Sequence, residues 1–165
     1  MDRDHVAIII EQWRTERPDL DPSPIGIFGR LSRVTQRATE EIVGLYRRFD
    51  LNEGEFDILA TLRRTGAPFA LAPTALAEQT MVTKGAVSKR LDALASKGLV
   101  TREAADHDGR GRVVRLTDTG RSRIDDAVAA HLAQEHQMLE MLPARDRDAL
   151  ERILTTWALA YEARP

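Results

Sequence analysis

The sequence predicts a mainly α-helical protein, α+β in class, with a single short β-hairpin set among helices. Three observations carry that reading. Apolar residues recur at three- and four-residue spacing through most of the chain. Good helix starts and stops fall where those patterns begin and end, at Asn52, Pro73, Thr83, Gly98 and Thr117. Only residues 99–105 and 112–117 read as strands, on either side of Asp108-Gly109.

Taken in order, residues 4–15 form a helix with Val6, Ile9, Ile10 and Trp13 on one side. Pro18, Pro22 and Pro24 interrupt it, and a second helix spans 25–49 through Ile27, Leu31, Val34, Ala38, Ile42, Leu45 and Phe49. Asn52 caps a third, ending near Arg64, and Glu55 completes a capping-box pair. Gly66 and Pro68 follow. Pro73 suits the first position of a short helix, 73–79, although Ala72 is a poor cap. Thr83 caps the helix 84–97, whose inward stripe is Val87, Leu91 and Leu94 and whose stop is Gly98. After the hairpin, Thr117 or Asp118 starts a long helix to about residue 142. Pro143 opens a last one to about residue 163.

Composition narrows the class. The chain has 165 residues, 42% of them hydrophobic and only 5% aromatic, so aliphatic side chains do most of the packing. Cysteine is absent, which removes disulfides, thiolate nucleophiles and thiol-based oxidant sensing. No apolar run spans a bilayer and the acidic start lacks a secretory pattern, so a soluble, cytoplasmic protein without membrane partners is expected. The net charge of −2 is unevenly spread. Residues 81–115 carry eight Lys or Arg against four Asp or Glu, while the remainder carries sixteen against twenty-two. A basic lobe on an acidic body directs one face toward phosphate.

That basic stretch has the order of a winged helix-turn-helix: short helix, tight turn, second helix, strand, charged loop, strand. The start of the 84–97 helix offers free N–H groups and a partial positive charge to a phosphate. Thr83, Lys84, Ser88 and Lys89 lie near that end or away from Val87 and Leu91. Lysine and hydroxyl groups serve guanine acceptors or phosphate alike. Gly85 and Ala86 lack bulk and permit close approach to base edges. In the loop, Arg110 and Arg112 flank Gly111, and arginine suits a narrow minor groove. Asp108 is expected to pair with a nearby arginine and shape the tip.

These residues resemble the MarR-type transcriptional regulators. The resemblance rests on Leu76-Ala77, Val87-Ser88-Lys89, Leu94 with Lys97-Gly98-Leu99-Val100, Asp108 with Arg110, and Arg115-Leu116-Thr117 followed by Gly120. It implies a homodimer that binds a pseudo-palindromic double-stranded DNA operator, most often as a repressor. It further implies dimerisation helices in 1–50, a DNA-binding domain in 51–118 and dimerisation helices in 119–165, with Leu132, Leu139, Leu142, Leu150, Ile153, Leu154 and Trp157 forming the seam and its core.

Trp13, Asp57 and Arg90 look like the trio of the family's urate-responsive branch, which lines a pocket between the DNA lobe and the dimer helices. Arg90 would hold an anionic oxygen, Trp13 would stack on a planar ring and Asp57 would accept ring N–H groups. A small aromatic or phenolic anion fits those groups. The same residues also read as a structural Asp57–Arg90 ion pair with Trp13 plugging the core. Both readings stand on the sequence.

His131, Glu135 and His136 read as surface residues of a long helix rather than a metal site. No glycine-rich phosphate loop or nucleophile–base constellation is present, so no enzyme and no cofactor are expected. The alternative function is a winged-helix protein-interaction module without ligand response.

Overall fold

The computed structural model describes residues 3–80, 84–104 and 112–163, and only the backbone of 84–86. The elements, in order, are α1 (His5–Glu16), α2 (Ile25–Arg47), α3 (Glu53–Arg64), β1 (Ala70–Leu71), α4 (Pro73–Gln79), α5 (Lys84–Ser96), β2 (Val100–Ala104), β3 (Arg112–Leu116), α6 (Asp118–Glu140) and α7 (Ala144–Glu162). The predicted class is the observed one: mostly helix with a small three-stranded antiparallel sheet. Two compact units divide the chain, residues 1–44 and 45–165, with the boundary inside α2. Among the described residues, no helix is long and apolar enough to cross a membrane.

The first unit is a helix pair tied at one end. Asp4 caps α1 by accepting the Ala7 N–H at 2.8 Å. Its carboxylate also takes a fork from Arg30 of α2, at 2.7 and 3.0 Å. Gly29 makes room for Val6, because a Cβ there would stand 3.2 Å from a Val6 methyl carbon. Val6 is accordingly buried, but the rest of the expected apolar stripe is not: Trp13 is 47% exposed and Val34 67%.

The Arg30 guanidinium, then the Ala7 N–H, hold the Asp4 carboxyl below its ordinary value. A carboxyl depressed in the folded state stabilises above its unfolded pKa, and that contribution disappears as pH falls through the folded value. Amide protection factors across α1 should therefore drop as the pH falls below about 4. Asp4→Asn should show the lower protection already at pH 7. Equal protection in Asp4→Asn and wild type at pH 7 would mean that the clasp does not hold α1.

In the second unit, Ile58, Leu59 and Leu62 of α3 pack with Leu76, Val87, Leu91 and Leu94 of the following helices. Val100, Val114 and Leu116 of the sheet and Ile124 of α6 join the same core. The capping box on α3 forms as expected: Asn52 accepts the Glu55 N–H, and the Glu55 carboxylate accepts the Asn52 N–H, both at 3.0 Å. Glu55 is 3% exposed, and its charge is met by Lys97 Nζ at 3.0 Å. The same ammonium donates to the Asp50 carbonyl at 2.6 Å. The end of α5 is thereby fastened to the start of α3.

The sheet order is β1-β3-β2. β1 is absent from the sequence reading because two residues carry no alternation to detect. It forms at the edge of β3, pairing Ala70 with Arg115, and the neighbouring Phe69 carbonyl accepts the Leu116 N–H at 3.1 Å. Gly98, at φ +69°, ends α5 as expected. Thr117 then caps α6 by accepting the Gly120 N–H at 2.9 Å, and its own hydroxyl donates to the Gly98 carbonyl at 2.7 Å. α7 buries none of its residues.

Candidate nucleic-acid interface

α5 has a core face, two flanks and an outer face. Val87, Leu91 and Leu94 are buried and define the first. At about 100° per residue, Lys89 lies about 200° round from Val87, opposite the core. Ser88 and Lys89 are both exposed. Gly85 contributes backbone to the first turn. Thr83 and Arg110 lie outside the described residues, as do Asp108 and the side chains of Lys84 and Ala86.

One flank faces α3. The Arg90 guanidinium lies directly against Gly54, so closely that a Cβ at that position would collide with it. Gly54 and Asp57 are three residues apart and share a helix face, so Arg90 rests on the side of α3 that bears Asp57. Trp13 belongs to the first unit, where it lines an open groove of about 650 Å³ with Ile8, Glu11 and Gln12. Its surface is 47% exposed.

The other flank faces the hairpin. Val100, Arg102 and Ala104 pair with Leu116, Val114 and Arg112, so all six side chains share one face of the sheet. Val100, Val114 and Leu116 are buried, which makes that face the inner one. Arg112 therefore begins β3, where the second strand was expected to start, and stands on the inner face opposite Ala104. With Thr74, Ser88 and Arg102 it lines a cavity of about 270 Å³ between α4, α5 and the hairpin. Sequence reasoning missed Arg102. Its signal was alternation, two residues after an inward valine, which turns a charged side chain toward the helices. On the outer face Arg115 is already engaged, with Glu103 at 3.3 Å and the Pro68 carbonyl at 3.0 Å. Thr101, then Arg115, hold the Glu103 carboxyl below its ordinary value.

The reading of His131 as a surface residue is corrected by the packing of α6. His131 is half-buried, 3.2 Å from the Tyr46 hydroxyl at Nδ1 and 3.2 Å from Glu135 at Nε2. Tyr46 stacks on Phe56 at 4.1 Å between ring centres. Burial, then the carboxylates of Glu135, Glu53 and Asp57, push the Tyr46 hydroxyl up to about 12, so it stays neutral. Among the described residues no group of three or more His, Cys, Asp or Glu side chains converges on a metal site.

A helix with one buried stripe and an outward lysine, next to a three-stranded sheet, has the form of a DNA-reading lobe. The profile of the MarR family matches residues 49–111. Over 149 residues the chain is 36% identical to the HTH-type transcriptional regulator PecS of Dickeya dadantii (strain 3937), covering 90% of each protein. The chain belongs to the MarR family. Like these relatives, this MarR-family protein is a DNA-binding transcriptional regulator and not an enzyme. Its fold resembles AbsC, a MarR-family regulator from Streptomyces coelicolor, with a TM-score of 0.76 at 21% identity over 88% of this chain and 98% of that one. It also resembles a mutant MarR from E. coli complexed with operator DNA, with a TM-score of 0.68 at 24% identity over 87% of this chain and 96% of that one.

Proposed function

We propose that this MarR-family protein is a cytoplasmic repressor that binds a pseudo-palindromic duplex operator as a homodimer and is released by a small aromatic or phenolic anion. The observation that carries the DNA reading is the disposition of α5, whose buried Val87, Leu91 and Leu94 leave Lys89 facing outward with Ser88 exposed on the flank beside it. Thr83, Lys84, Gly85, Arg110 and Arg112 complete the proposed DNA-contacting set. The proposed organisation is that of the sequence reading: dimerisation helices in 1–50 and 119–165 around a DNA-binding domain in 51–118.

The homodimer is supported by apolar surface that this chain leaves uncovered. Leu132 and Leu139 of α6 and Leu150, Ile153 and Leu154 of α7 are 36–53% exposed. Apolar side chains left exposed on two successive helices are what a subunit interface covers. The test is selection of duplexes from a random pool by the purified chain. A two-fold site with half-sites about one helical turn apart is the expected product. Recovery of no preferred duplex would end the operator reading.

The ligand response rests on Arg90 and Asp57, with Trp13 supplied by the resemblance to the urate-responsive branch. Arg90 belongs to the reading helix, so an anion that draws on it changes the energy of the DNA-bound state relative to the free one. Urate and simple phenolic acids should quench Trp13 in a Trp157→Phe background and lower duplex affinity, and Arg90→Ala should blunt both effects. Unmoved Trp13 emission together with unchanged duplex affinity for every acid offered would remove the effector from the proposal.

A further inference from the structure

The core stripe of Val87, Leu91 and Leu94 seats α5 on the body, and polar contacts on both of its flanks also bear on its roll. Roll decides where Lys89 points. The C-terminal and α3-facing side is held by Lys97 on Glu55 and the Asp50 carbonyl, and by Arg90 against Gly54. At about 100° per residue, Arg90 and Lys97 fall within roughly 20° of one another around the helix. Ser88 and Asp92 fall together on the opposite flank, one turn apart.

Among the described residues of the hairpin, Arg102 is the one that holds that opposite flank by hydrogen bond and ion pair. Arg102 of β2 donates from Nη2 to the Ser88 carbonyl at 3.1 Å and from Nη1 pairs with the Asp92 carboxylate at 2.9 Å. One rigid guanidinium thus grips two points a helical turn apart, which a lysine ammonium cannot do with the same geometry. Arg102 reaches them because it stands on the inner face of the sheet, beside buried Val100 and Val114.

We infer that Arg102 and Asp92 form a positioning strut that sets the roll of α5 against the hairpin, and so aims Lys89 and the first turn at the duplex without touching it. This rests on the proposal that α5 reads DNA. It assigns a DNA-binding role to an acidic side chain on a helix whose other exposed charges attract phosphate. The sign of its effect is therefore diagnostic. By charge alone, removing Asp92 strengthens attraction to DNA. By the strut, removing it weakens binding.

The test uses the full-length chain and duplexes that the wild type selects from a random pool. Affinity is measured against KCl concentration for wild type, Asp92→Ala, Arg102→Ala, Arg102→Lys and the Asp92→Ala/Arg102→Ala pair. Asp92→Ala and Arg102→Ala should each weaken binding by about tenfold, the order of one lost base contact. The pair should be no weaker than Arg102→Ala, because both changes open the same grip. The salt slopes of Asp92→Ala and Arg102→Ala should match one another, since both changes open the same grip and Arg102 itself touches no phosphate. Arg102→Lys should keep the charge yet stay weaker than wild type.

Asp92→Ala truncates an exposed side chain and should melt with the wild type, so it decides the matter even where Arg102→Ala folds poorly. Asp92→Ala binding as tightly as wild type, or more tightly, overturns the strut. So does wild-type affinity in Arg102→Lys, or a salt slope in Arg102→Ala lower than that of Asp92→Ala by about one per half-site, which marks a direct phosphate contact. A wild-type chain that selects no duplex overturns the DNA-reading proposal itself, and is told apart because no variant then has an affinity to compare.

Discussion

Gly120→Ala should lower the melting temperature by roughly 6–12 °C, the equivalent of about 3 kcal/mol. The direction is opposite to the general rule for helices, where alanine is about 1 kcal/mol better than glycine. Gly120 is in the first turn of α6, and a Cβ there would run into the backbone carbonyl of Leu99. Backbone cannot rotate aside as a side chain does. Moving α6 away instead would break the Thr117 N–H bond to that same carbonyl, 3.1 Å, and the Thr117 hydroxyl bond to Gly98. Gly44→Ala is the control: in α2, an added Cβ would meet nothing within 4 Å, so this change should be neutral or stabilising by up to about 1 kcal/mol. If Gly120→Ala melts at or above wild type, the close approach of α6 to Leu99 is not what holds that turn.

Lys89→Ala should cost about a hundredfold in duplex affinity, tenfold from each half of the proposed two-fold assembly. Lys89 is exposed and opposite the buried stripe of α5, so its loss should leave the melting temperature unchanged. The salt dependence then tells which kind of contact it makes. A slope reduced by about 0.9 for each lost contact marks phosphate, whereas an unchanged slope with altered base preference marks a reader. Wild-type affinity in dilute buffer would remove Lys89 from the interface.

Local chemistry is where the sequence was most legible. The Asn52–Glu55 capping box, the Thr117 cap, Pro73 opening α4 and Gly98 ending α5 all depend on residues within a few positions of each other, and all are found as read. The buried stripe Val87, Leu91 and Leu94 follows from helical periodicity alone. Contacts between distant segments were less legible. Arg102 gripping Ser88 and Asp92, Arg90 seated on Gly54, and His131 reaching Tyr46 join residues 10 to 85 positions apart. No local pattern announces such partners. β1 was missed for a related reason: it is a strand only because β3 lies beside it.

The sequence by itself determined the order of helices and strands, the inward stripe of α5 and the membership of a regulator family. Each depends on spacing that the backbone's own periodicity enforces. Only the tertiary structure decided that Arg112 and Arg102 share the inner face of the hairpin, that Gly54 serves as the seat of a guanidinium, and that Gly120 must lack a side chain. Those outcomes depend on which surfaces meet, and a side chain's role changes sign with what stands within 4 Å of it.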